Sequence, residues 1–285
     1  MWYYGGKKTW KREKGAKMKK KKWKLSTILL LLIGIGLIIT ALVLLIPPLL
    51  DRKQANDTYE ELKETNVIVE ESVSIKEQEG EKGEETGENN KDSWWYEDVE
   101  IDIAGLQEIN EDIIGWIRFD SIEILSYPVL YSGDDEAYLK TDIYGNKSSA
   151  GCIFIEGANS PDLLDCHTII YGHNMKNGSM FGSLKKYKEE GFYEENQYFT
   201  IYLRDTAYRY QIFAYRDVPD YHSVYTVGFL PDETFQQFVN EMRAGSYKDT
   251  GIEVSKEDQV VTLSTCSAAR ERFVIHAVKV EEHTY

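Results

Sequence analysis

Residues 25–46 carry no charged side chain and consist almost entirely of Leu, Ile, Val and Gly. As a helix rising about 1.5 Å per residue, such a run spans a hydrocarbon core of about 30 Å. It therefore divides the chain before any other feature is considered. Lys19, Lys20, Lys21, Lys22 and Lys24 stand directly before it. Lysine and arginine stay on the cytoplasmic side, which predicts a cytoplasmic N-terminus and an extracytoplasmic remainder. A cleaved signal peptide is the competing reading. The run is longer than a usual signal core and no small-x-small cleavage site follows, so a retained single-pass anchor is expected.

Charge follows the same division. Residues 1–24 hold eleven lysines and arginines against the single acid Glu13, while the rest holds 22 basic against 47 acidic residues. The basic run abuts the apolar one and is explained by membrane topology. An acidic remainder repels phosphates, which argues against a nucleic-acid partner. Residues 47–97 are rich in Glu, Lys, Gly and Asn, and approach low complexity over 77–90. Such a stretch buries too little apolar surface to offset ordering, and reads as an acidic flexible stalk with a little helix near Tyr59 and Lys63. The expected layout is a basic cytoplasmic segment (1–24), an anchor (25–46), a stalk (47–97) and a folded domain (98–285).

Within that domain the pattern is mainly β. Apolar residues at helical spacing over 101–114 predict an opening helix. Short strands are expected at 116–119, 122–131, 151–156, 168–171, 199–203, 208–214 and 224–227, with turn signals such as Ser132-Gly133-Asp134-Asp135 between some of them. Pro128 marks its strand as an edge. Repeated short strands and turns point to a barrel or sandwich. Phe235, Phe238, Val239 and Met242 form an amphipathic stripe in a helix expected over 231–245, with Pro231 in its first turn and Gly245 ending it.

The last strands, 260–265 and 273–280, are β-branched and apolar. Cys266 stands where the first runs out and Arg272 where the second begins, so neighbouring strands would set a thiolate beside a fixed cation. Read alone, Cys266 is better explained as a buried strand-end cysteine. Of the five histidines, His222 and His283 fall in loop and tail. His167 and His276 fall inside strands, His276 on the face opposite Phe273, Ile275 and Ala277, where it is either exposed or structural. His173 follows the strand 168–171 and comes after Gly172, a place from which a side chain projects into a cleft. The three cysteines show no CxxC and no zinc spacing with histidine, so no metal is expected. Cys152 and Cys166 occupy offset rungs if their strands pair, and no disulfide is expected.

Taken together these residues resemble a known family. Thr262-Leu263-Ser264-Thr265-Cys266, followed by Arg272-Phe273-Val274-Ile275-His276, is similar to the active-site signature of sortases. Ile170-Tyr171-Gly172-His173-Asn174-Met175, with Gly178 and Met180-Phe181-Gly182-Ser183-Leu184, resembles the histidine region of class B sortases. The blocks span roughly residues 101–280, and the helix inserted before the cysteine strand agrees with class B. The resemblance implies a closed eight-stranded sortase-type β-barrel, with Cys266 as nucleophile, His173 as general acid/base and Arg272 as the positioning cation, Arg270 being the runner-up. It implies that Ser264 and Thr265 line the substrate groove, and that no cofactor takes part. The implied reaction cuts a C-terminal sorting motif of the Asn-Pro-x-Thr kind after threonine, through a thioester. The carbonyl then passes to a peptidoglycan amine or, in a pilin-polymerising sortase, to a pilin lysine.

Two other readings use the same residues. A membrane-tethered cysteine peptidase would release its product to water. A non-catalytic surface-binding module would keep Cys266 only for packing. Papain-like peptidases place cysteine before histidine, the reverse of the order here.

Overall fold

The computed structural model describes residues 24–69, 94–97, 99–266 and 270–285. Residues 1–23 of the expected cytoplasmic segment and 70–93 of the expected stalk lie outside the described residues. The chain divides into two units, Met1–Pro47 and Pro48–Tyr285. The described part of the first is the apolar portion of helix α1 (Leu25–Asn66), whose side chains are almost all exposed and which is long and apolar enough to cross a membrane.

The second unit starts in the part of the chain read as stalk, where the little helix expected near Tyr59 and Lys63 is part of α1, which runs to Asn66. Ala55, Tyr59 and Leu62 recur at helical spacing on α1 and are all buried in the domain core. The Asp51 carboxylate accepts the Ser149 amide at 3.1 Å. Strand β1 (Val67–Val69) then pairs antiparallel with β2 (Val99–Ile101), which follows the short helix α2 (Trp94–Glu97). Composition concealed this because the apolar stripe is only one residue in three or four among acids.

Helix α3 (Ile103–Ile109) is shorter than the expected 101–114. Asn110 turns to extended backbone, so Ile113 and Ile114 open strand β3 (Ile113–Phe119). Both periodicities fit those two isoleucines, and burial across the sheet decides. Next come β4 (Ser126–Leu130), β5 (Ile153–Ile155) and β6 (His167–His173). After a 3-10 turn (Gly182–Lys188) and helix α4 (Phe192–Glu195) come β7 (Tyr198–Leu203) and β8 (Thr206–Pro219). Helix α5 (Glu233–Ala244) precedes the final pair, β9 (Val260–Cys266) and β10 (Glu271–Thr284).

These eight strands close into a barrel in the order β10-β8-β7-β3-β4-β5-β6-β9. Closure removes edges, so Pro128 is not on an edge strand. It stands opposite Trp116 of β3, whereas pairing with β5 begins only at Val129. The missing N–H is tolerated because the β5 flank is unpaired there. Residues 224–227, expected as strand, instead hold a 3-10 turn at Ser223–Tyr225, started by His222, whose ring accepts the Val224 amide.

The α5 stripe is as expected: Phe235, Phe238, Val239 and Met242 are buried. They pack on the outside of the barrel against Phe213, Val260, Val274 and Val278. The helix starts later than expected. Asp232 is its N-cap, accepting the Thr234 and Phe235 amides at 2.8 and 3.3 Å, and Pro231 lies outside it.

Candidate active site

Parallel pairing of β6 with β9 fixes the site. In that register Ile169 stands opposite Thr262, Tyr171 opposite Ser264, and His173 opposite Cys266. On the other side of β9, antiparallel β10 sets Val274 opposite Ser264 and His276 opposite Thr262. Side chains alternate along a strand with period two. Odd positions on β6 and even positions on β9 and β10 therefore share one face, the outer face of the barrel that α5 covers at its other end. His173, Cys266 and Arg272 are the last positions of that face at one end of three adjacent strands. Residues from the middle and the end of the chain thus meet through backbone pairing alone.

Arg272 lies within β10, opposite Val218 of β8, and is half-buried. Arg270 precedes the strand, is exposed, and gives its carbonyl to the Asp220 amide at 3.0 Å. Of the two arginines, Arg272 alone has a strand position on the cysteine's face.

His173 is half-buried, and its Nε2 lies 2.5 Å from the Leu139 carbonyl. A carbonyl only accepts, so Nε2 carries the proton. No sequence signal could have found this partner, because any residue supplies a carbonyl. Gly172 admits the histidine's surroundings: a Cβ there would lie 2.5 Å from Ile153 Cδ1 and 2.6 Å from the Phe181 ring. Both neighbours are buried. Gly172→Ala is therefore expected to lower stability by about 1–3 kcal/mol by overpacking, read as a shifted urea midpoint at unchanged slope.

Ser264 is fully buried, its hydroxyl 3.1 Å from that of Tyr225. Tyr225 stacks over Tyr171 (centroids 6.4 Å apart, planes at 20°), and Tyr171 donates to Glu156 at 2.5 Å. Burial raises the Glu156 carboxyl above its ordinary range, opposed by that hydrogen bond, and burial together with Glu156 holds the Tyr171 phenol protonated. Tyr225 was missed because its segment reads as strand.

Thr265 is the next residue of β9. It occupies the opposite face from Ser264, is fully buried, and its hydroxyl accepts the Phe273 amide at 2.9 Å. Its visible role is to tie β9 to β10 beside the site.

Cys152 is buried, and its thiol donates to the Thr141 carbonyl at 3.2 Å. Burial pushes its pKa up to about 12, so it stays a thiol and braces the loop before β5.

A family model for the Sortase domain matches residues 117–280. Sortase B of Listeria monocytogenes is 35% identical over 176 residues, covering 61% of this chain and 70% of the relative. Sortase B of Bacillus anthracis in complex with AAEK1 superimposes with a TM-score of 0.66 at 27% identity, over 82% of this chain and 99% of that one. A Staphylococcus aureus sortase B–substrate complex gives 0.60 at 30% identity, over 63% of this chain and 84% of that one. The chain belongs to the sortase family. It is a class B sortase, a cysteine transpeptidase, with the closed eight-stranded barrel expected of one.

Proposed function

We propose that this sortase is held in the membrane by residues 25–46, N-terminus inside. In this reading it cleaves a C-terminal Asn-Pro-x-Thr sorting motif of exported proteins and joins the threonine carbonyl to a cell-wall amine. The observation that carries the site is the β6–β9 register, in which His173 and Cys266 are partners. The solved substrate complex of the Staphylococcus aureus relative supports a peptide substrate. The basic flank before an uncharged run supports the anchor and its direction.

The chemistry follows from the residue types. The Cys266 thiolate attacks the threonine carbonyl, while imidazolium at His173 favours the thiolate form. Negative charge develops on the carbonyl oxygen, and the Arg272 guanidinium stabilises it. The C–N bond breaks as His173 passes its proton to the leaving amine, giving a thioester and a shortened peptide. An incoming amine attacks the thioester, His173 takes up its proton, the C–S bond breaks as the amide forms, and the thiolate–imidazolium pair is restored. Ser264 borders the peptide through Tyr225.

The test is ligation by the full chain in detergent micelles, given Asn-Pro-x-Thr peptides with and without a diaminopimelate, oligoglycine or pilin-type lysine amine. The expected product is a peptide bearing the amine at threonine, at a yield that rises with amine concentration. Equal cleavage with and without amine, and no ligated product, would establish the hydrolytic reading instead. Preference for the pilin-type lysine would move the acceptor to pilus assembly.

A further inference from the structure

We propose that Tyr59, on the membrane-proximal helix, is a positioning residue for His173, holding the two loops that flank the imidazole. The proposal rests on His173 as the acid/base of the reading above.

The first loop runs between β4 and β5 and supplies the Leu139 carbonyl. Tyr59 is 5% exposed, and its hydroxyl donates to the Gly151 carbonyl at 2.7 Å. Gly151 has φ +57, and a Cβ on it would lie 2.8 Å from the Leu139 oxygen and 3.1 Å from His173 Cδ2. The glycine backbone therefore passes so close to the imidazole and to the carbonyl that receives its Nε2 proton that no side chain fits between them. The neighbouring amide of Cys152 closes the turn onto the Tyr138 carbonyl at 3.0 Å. A phenol that fixes the Gly151 peptide plane thereby fixes the acceptor of the histidine.

The second loop follows β6. The Tyr59 ring meets Tyr127 edge-on, with centroids 5.4 Å apart and planes at 84°. The Tyr127 hydroxyl accepts the Met180 amide at 2.9 Å. Met180 sits at φ 51, a conformation that a non-glycine residue holds only when its surroundings impose it. Met180 bridges to Asn174, next to the histidine, and the Phe181 amide donates to the His173 carbonyl at 3.0 Å. One side chain of α1 thus braces both walls of the histidine from behind. Removing its hydroxyl would leave the Gly151 carbonyl buried without its donor, and the peptide would turn to find another.

The test compares Tyr59→Phe with Leu62→Ala in the full chain in micelles. Leu62 is 3% exposed on the same helix face, so its truncation weakens packing without touching the hydroxyl. Tyr59→Phe should lower kcat about tenfold with KM unchanged, as expected of a slightly misplaced reacting group, at a melting temperature close to wild type. Leu62→Ala should lower the melting temperature and leave kcat of the folded enzyme unchanged. The direct readout is the 15N spectrum of the imidazoles, with His173 identified by His173→Gln. Wild type should show neutral His173 protonated at Nε2, and Tyr59→Phe a mixture of tautomers. An Nδ1-protonated wild type would overturn the proposal without any variant. So would an unchanged kcat and spectrum in Tyr59→Phe. A full-rate His173→Gln would instead overturn the acid/base assignment, so the two failures are separable.

Discussion

Replacing Cys266 by alanine is expected to abolish thioester formation and ligation together, a loss of roughly four orders of magnitude or more in kcat/KM. The size of the effect follows from the mechanism: with no sulfur there is no acyl-enzyme, and the imidazole alone has nothing to activate. Cys266→Ser should be nearly as inactive, because a hydroxyl is far less ionised than a thiol beside the same imidazole. His173→Ala should fall comparably, since thiolate formation and protonation of the leaving amine both need that ring. The arginines then separate. Arg272→Ala should cost about 10²–10³, the scale of a lost oxyanion partner, whereas Arg270→Ala should stay within a few-fold. Peptide ligation and labelling by a methanethiosulfonate reagent measure all of these on protein of unchanged melting temperature. Ligation at wild-type rate by Cys266→Ala would end the assignment.

The second large effect is on stability in mild acid, and it arises on the same sheet face beneath α5. His167 Nδ1 lies 2.7 Å from the Thr226 carbonyl, its Nε2 lies 2.6 Å from the Thr262 hydroxyl, and that hydroxyl lies 2.8 Å from His276 Nδ1. The carbonyl must accept, so His167 is protonated at Nδ1 and its Nε2 receives the threonine proton. The threonine oxygen then accepts from His276 Nδ1, leaving His276 Nε2 buried with no partner. Both rings are fully buried. Burial pushes His167 down to about 4, against the Thr226 carbonyl and Asp165, which favour its charged form. Burial holds His276 well below its ordinary value, assisted by His167, Arg216 and His222.

A histidine whose folded pKa is depressed resists protons that the unfolded chain accepts. Its contribution is therefore intact above about 6.5 and is lost as pH falls from there toward the folded value. At 1.36 kcal/mol per unit, His167 alone should remove about 2 kcal/mol by pH 5, and His276 adds to that. Urea midpoints at pH 7.5, 6.0 and 5.0 should fall in that order. His276→Leu, which removes the unpartnered nitrogen, should flatten the slope below pH 6.5. A wild-type midpoint unchanged between pH 7.5 and 5.0 would refute this account.

What could be read from residue order divides along physical lines. Strands β9 and β10, the α5 stripe and the strand-end place of His173 were legible because period and β-branching act locally. Contacts that depend on backbone atoms or on distant packing were not. The Leu139 carbonyl has no signature, and His276 could be placed on a face but not said to be covered until α5 was seen above it. The helix through Tyr59 was legible only as a short piece, because acidic residues surround the three side chains that bury it. Thr265 entered beside Ser264 through the family resemblance, while neighbours on a strand point to opposite faces.

Strand β9 lies between β6 and β10 in the closed barrel. The barrel cannot shut until β9 and β10, the last two strands along the chain, are available for pairing. A chain made only through β8 therefore carries the histidine's strand without the cysteine's, and positions 173 and 266 become partners only when β9 is inserted.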